Sequence, residues 1–180
     1  MSGVDKDPWN GAVPAVMPAQ DRGEIEEAYA RYAWGIDLAD EEMIRSAFAT
    51  TGSFDHLWQG KSTGHDAIIK SLHELWYDRQ AWWIGRHHLF NHFIMTPTAE
   101  GARVRCFFQI LQHNVEYRNN FVFGIGTRDD TLVKEDGRWV FDTLFVNAWR
   151  GLDDIPWKGR LLVNAGSTNS PASHPDAARK

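Results

Sequence analysis

The chain has 180 residues, a length suited to one hydrophobic core, and its 43% hydrophobic and 24% charged residues are the balance of an ordinary soluble domain. Its 19 Lys+Arg against 24 Asp+Glu leave a formal charge of −5 with no basic stripe to follow a phosphate backbone, which argues against a nucleic-acid partner. Cys106, the one cysteine, closes no intrachain disulfide, no apolar run reaches the roughly 18 residues of a membrane span, and the N-terminus lacks the basic-then-apolar order of a signal peptide, so a cytoplasmic protein with no membrane partner is expected.

Residues 1–20, rich in Pro, Gly, Ala and Asp, read as an N-terminal arm, residues 21–152 as the folded domain and residues 153–180 as a C-terminal extension that is partly disordered. From Ile25 the apolar positions Ile25, Ala28, Tyr29, Tyr32, Ala33 and Ile36 recur at the spacing of one helix face. Asp40 then has the chemistry of an N-cap for a short second helix carrying Met43, Ile44 and Phe48, which Gly52 ends before a strand at 53–58. A third helix over 65–77 presents Ile68, Ile69, Leu72, Leu75 and Trp76 to one side. Beyond it the period changes to that of strands, expected at 86–96, 102–115, 119–134 and 138–150. Turn chemistry at 96–101, 118–120 and above all Asp136-Gly137 separates them into antiparallel hairpins. Helices and strands are thus segregated, which defines an α+β class with a strongly curved sheet.

The aromatic content, 9 Trp, 10 Phe and 4 Tyr, is high for so polar a chain and leans toward a pocket for a hydrophobic, ring-shaped small molecule. Trp58, Trp82-Trp83, Phe107-Phe108 and Trp149 are the rings that suit such a ligand, with Trp58 and Phe108 the nominated substrate contacts.

Four short stretches carry a resemblance: Tyr32-Ala-Trp-Gly-Ile-Asp37, Gly64-His-Asp-Ala-Ile, His87-His-Leu-Phe-Asn91 and Glu135-Asp-Gly-Arg-Trp139. In this order and spacing, over about residues 22–150, the chain resembles the NTF2-like superfamily, in particular its SnoaL-like and scytalone dehydratase-like branch. The resemblance implies a cone-shaped barrel, three N-terminal helices packed on a strongly curved, mostly antiparallel sheet. In the lyase members an aspartate ending the first helix orients a histidine at the start of the first long strand, the general base. Asp37 takes the first role and His87 the second, because His87 keeps a His-x-x-x-Asn spacing to Asn91. Consecutive strand residues face opposite ways, so only one of His87 and His88 enters the barrel, and His88 is the alternative.

The residues support the pairing separately. Asp37 lies at the edge of the apolar helix stripe and at a C-terminus, where the helix dipole disfavours an anion by roughly 0.3–1 kcal/mol, so a donor is needed there. An aspartate accepting from one imidazole nitrogen leaves the other to take a proton. Tyr32 is a candidate donor to developing negative charge, and His56, Asn147 and Arg150 are candidate polar groups of an otherwise apolar pocket. His113 shares strand parity with Arg103 and Arg105 and is expected to face water. No ligand spacing for a metal, no phosphate loop and no dinucleotide fingerprint is present, so neither a metal nor another cofactor is expected.

The sum of these readings is a cofactor-independent lyase, a homo-oligomer (dimer or trimer), that removes water or a one-carbon fragment such as formaldehyde from a hydrophobic aromatic molecule, as the similar diarylpropane lyases do. Two other readings of the same resemblance are a non-catalytic small subunit of a ring-hydroxylating-type oxygenase, and an isomerase resembling ketosteroid isomerase with a carboxylate base.

Overall fold

Asp136 and Gly137 both have positive φ (50° and 76°), which is what a two-residue hairpin turn demands, and Glu135 pairs with Arg138 across it. The computed structural model describes residues 15–56, 59–77 and 84–155. Its elements are α1 (Ala19–Leu38), α2 (Glu41–Ala47), β1 (Phe48–His56), β2 (Gly60–Thr63), α3 (His65–Tyr77), β3 (Arg86–Pro97), β4 (Ala102–Asn114), β5 (Asn119–Glu135) and β6 (Arg138–Ala148). Residues from Ala15 to Trp149 belong to one compact unit and Arg150–Ile155 to another. No helix among the described residues is long and apolar enough to cross a membrane.

The six strands form one sheet in the order β2-β1-β6-β5-β4-β3, antiparallel except for the parallel pairing of β1 with β6. The fold is therefore α+β with three helices and a mostly antiparallel sheet, and the four long strands fall within two residues of where their composition puts them. The strand expected at 53–58 overlaps β1, which forms with β2 a hairpin between α2 and α3. Phe48 also opens β1 instead of closing α2, and its backbone is extended (φ −107°, ψ 147°). Asp40 does cap α2, accepting from the Met43 N–H at 2.9 Å.

The core lies between α1, α3 and the inner sheet face, with Ile25, Tyr29, Tyr32, Phe48, Phe54, Leu72, Leu132 and Phe141 all at most 2% exposed. The α1 stripe read from the sequence is the buried one. Its first turn is tied down by Asp21, which accepts from Trp139 Nε1 at 2.9 Å and pairs with Lys134. Its last turn is closed by Ala39 in the left-handed region and by Trp76 Nε1 donating to the Ile36 carbonyl at 2.8 Å. These contacts fix the end of α1 that carries Asp37.

Candidate active site

Asp37 leaves the last turn of α1 toward the first residues of β3, where two donors meet it. His88 Nδ1 lies 2.6 Å from Oδ1, and the His88 backbone N–H donates to Oδ2 at 2.8 Å. Both side chains are nearly buried, 10% exposed for His88 and 11% for Asp37. The Asp37 carboxylate thus fixes Nδ1 as the protonated nitrogen and leaves Nε2 as the accepting one. Burial holds the His88 imidazole below its ordinary range, Asp37 pulls it back up, and the Arg86 and Arg128 cations push it down again. The net direction is downward, which favours the uncharged imidazole.

The expected pairing of Asp37 with His87 is therefore corrected: the histidine that meets Asp37 is His88. His87 is exposed and points to the other sheet face, since the alternation of β3 sends residues 86, 88 and 90 inward. The His-x-x-x-Asn spacing is real, but Asn91 lies on the outer side with His87, pairing across to Phe107.

Tyr32 is brought to the pair, with its ring in an edge contact 6.4 Å from that of His88. It is only 2% exposed and is ringed by Phe48, Phe54, Phe90 and Phe141. Burial raises its phenol to about 12, so it stays protonated. His56 shares the inner face of β1 with Phe54, at 5.5 Å between rings. Burial first, then His88, Arg86 and Arg128, lower it to about 4.

The remaining expected contacts fare differently from one another. Trp58, and with it Trp82 and Trp83, is outside the described residues. Asn147 was expected in the pocket but sits on the outer face of β6, one residue past inward Val146, and donates to Thr127 Oγ1 at 3.1 Å. Phe108 is buried apart from the main core, its ring packed where Gly126 has no side chain: a Cβ there would stand 2.5 Å from it. It pairs with inward Phe90 across the β3–β4 ladder and shares the parity of Gln112, which puts it on the same sheet face as His88, and with Asn91, His92, Phe107, Ile125 and Trp149 it borders a cleft of about 250 Å³. Arg150 belongs to the second unit, where its backbone N–H donates to Asp154 Oδ2 at 3.0 Å and its side chain is exposed.

Four inward residues escaped the sequence reading. Arg128 and Asp130, on β5, are 3% and 0% exposed and paired at 3.0 Å. Asp130 also accepts from Tyr29 Oη at 2.5 Å and from the Phe145 N–H at 2.8 Å. Burial pushes the Asp130 carboxyl up, while Arg128, Tyr29 and the Phe145 N–H draw it back down. The Arg128 guanidinium stands 5.4 Å from both the Tyr32 and Phe90 ring centres. Arg86 and Gln112 face each other in the β3–β4 ladder and bond at 3.1 Å. Strand parity with His88 and with Leu132 was the signal that could have found them. Among the described residues, no three His, Cys, Asp or Glu side chains come together to hold a metal ion.

Several solved structures share this fold. ActVI-ORFA from Streptomyces coelicolor superposes with a TM-score of 0.67 at 18% identity, covering 74% of this chain and 98% of its own. A scytalone dehydratase candidate from Novosphingobium aromaticivorans gives 0.60 at 22% identity, covering 72% and 85%. A protein of unknown function with a cystatin-like fold from Nostoc punctiforme gives 0.63 at 20%, covering 76% and 97%. A comparison with curated proteins finds no match. The resemblance read from the four short stretches is borne out by a family model that spans residues 17–144, from the residue before the α1 cap to the middle of β6: the chain belongs to the SnoaL-like domain family of the NTF2-like superfamily.

Proposed function

We propose that the protein is a cofactor-independent lyase for a hydrophobic aromatic small molecule, with His88 as general base and Asp37 as its orienting partner. The observation that carries this reading is the double hydrogen bond from His88 to one carboxylate, which sets tautomer and ring orientation together. In dehydration, Nε2 of His88 takes a proton from carbon, the C–H electron pair forms the new double bond, and the hydroxyl on the neighbouring carbon leaves, taking the proton back as water; in loss of formaldehyde, Nε2 takes the proton of a hydroxymethyl O–H, whose electrons form the carbonyl of formaldehyde, the broken C–C bond supplies the pair of the new double bond, and the neighbouring hydroxyl again leaves with that proton as water. Asp37 stabilises the imidazolium that results. Tyr32, protonated and pressed against the His88 ring, and the Arg128 cation behind it make the inner face favourable to the negative charge that develops.

The kinship with SnoaL-like proteins, and the likeness to a scytalone dehydratase candidate, support a dehydratase- or isomerase-type chemistry on a small molecule. A carboxylate-base isomerase has less support, because Asp37 is held by His88 and Asp130 by Tyr29, Arg128 and Phe145. The test is turnover of hydroxylated aromatic compounds, diarylpropane diols among them, by protein dialysed against a strong chelator with no nucleotide or flavin added. Retained turnover with loss in His88→Ala supports the reading. Turnover that needs a restored metal, or that His88→Ala leaves intact, contradicts it.

A further inference from the structure

Arg86 stands two residues from His88 on the same face of β3, roughly 6–7 Å along the strand. Its orientation is built in. Nε donates to Gln112 Oε1 at 3.1 Å, and the guanidinium lies 4.4 Å from the Phe123 ring centre. Gln112 is 0% exposed and spends its amide on the chain around Arg86, donating to the Ile84 and His113 carbonyls at 3.3 and 2.9 Å. The His113 N–H in turn donates to the Gly85 carbonyl at 3.0 Å, so the entry to β3 is bracketed on both sides. Burying a glutamine is costly unless all its polar atoms are used, and here they are used to aim one guanidinium. An arginine presents a planar fork that matches an ionised oxygen, and it holds its charge at every relevant pH.

We propose that Arg86 is the specificity-determining residue of the site and that the substrate carries an ionised oxygen, phenolate or carboxylate, which Arg86 binds about one aromatic ring's length from the carbon or hydroxyl that His88 deprotonates. This rests on the reading of His88 as the base, and it narrows the substrate class from hydrophobic aromatics to acidic ones. An anion held there also draws the ring across the inner face, toward Phe90 and the His88 ring. The same cation, with Arg128, adds to the burial that holds the His88 imidazole below its ordinary range.

The experiment uses three probes of similar shape, 4-nitrophenolate, benzoate and neutral nitrobenzene, with affinities read by calorimetry on the full chain at a pH above the nitrophenol midpoint. The wild type should prefer the matching anion to nitrobenzene by about ten- to a hundredfold, the range of one charge-assisted hydrogen bond. Preference for nitrophenolate over benzoate assigns a phenol, and the reverse a carboxylate. Arg86→Met should erase the preference while leaving nitrobenzene affinity unchanged, and Arg86→Lys, which keeps the charge but not the fork, should retain part of it and covers the case in which Arg86→Met fails to fold. His88→Gln should leave the preference in place. Equal binding of anions and nitrobenzene by the wild type, or an anion preference lost in His88→Gln and kept in Arg86→Met, overturns the proposal. The dyad reading fails separately, by undiminished turnover in Asp37→Asn.

Discussion

Asp37 and His88, 51 positions apart in sequence, share two hydrogen bonds, one from the imidazole Nδ1 and one from the His88 backbone N–H. The second bond matters as much as the first. It locks the carboxylate to the strand itself, so the imidazole cannot drift without the start of β3 moving with it.

Replacing Asp37 by Asn should therefore preserve the fold and lower turnover by roughly 10²- to 10⁴-fold, because an amide can hold the ring but cannot stabilise its charged form. Circular dichroism checks the fold and steady-state kinetics the loss. His88→Ala should abolish turnover, whereas His87→Ala, on the outer face, should leave it close to wild type.

His56 gives the molecule an acid-side weakness. Its folded-state value of about 4 lies below the ordinary 6.5, so between these pH values the unfolded chain binds a proton that the folded chain refuses. Stability should fall as pH drops from 6.5 to about 4 and then level off, by up to about 3 kcal/mol from this group, with His88 acting in the same direction. Urea unfolding across that range, with His56→Leu as the comparison, should show a flatter pH dependence in the variant.

The Arg128–Asp130 pair should behave as a buried ion pair whose members cannot be separated. Arg128→Met alone should cost about 3–5 kcal/mol, because it strands Asp130 in the core, while Arg128→Met combined with Asp130→Leu should recover much of that loss. Denaturant titration of the three proteins measures the difference. A double variant no more stable than the single one would mean that the pair stabilises the fold outright.

Tyr29→Phe removes one of the donors to Asp130 and leaves the packing of the ring against Phe90, Phe93 and Phe141 in place. A loss of about 1–3 kcal/mol is expected by thermal or chemical unfolding. No change at all would show that Asp130 is fully satisfied without it.

The order of elements was legible in the sequence because periodicity survives averaging: the α1 stripe and the Asp136-Gly137 hairpin stand where their residues put them. The pairing of Asp37 with a histidine of β3 was legible too, but which of two adjacent histidines was not, since a register error of one residue inverts a strand. A sequence motif ending at Asn91 pointed to His87, while only the ladder from Arg86 to Phe90 shows which face is inner. Arg86, Gln112, Arg128 and Asp130 were missed for a related reason. Charged and amide residues on a strand read as surface until the partners that satisfy them are known, and those partners lie two positions along the same strand for Arg128, one strand away for Arg86, and, as with Tyr29 and Asp130, 101 positions away. Asn147 was misplaced by the same ambiguity in β6.

The proposed chemistry turns on His88 being a neutral base whose proton Asp37 fixes on Nδ1. Long-range proton–nitrogen correlation spectra of histidine-labelled protein, titrated over pH, measure this directly and need no substrate. At pH 7 the His88 resonance should show the Nδ1–H tautomer with an unprotonated Nε2, it should titrate below the ordinary 6.5, and Asp37→Asn should release the tautomer. A His88 that is doubly protonated at pH 7, or that carries its proton on Nε2 in the wild type, would contradict it.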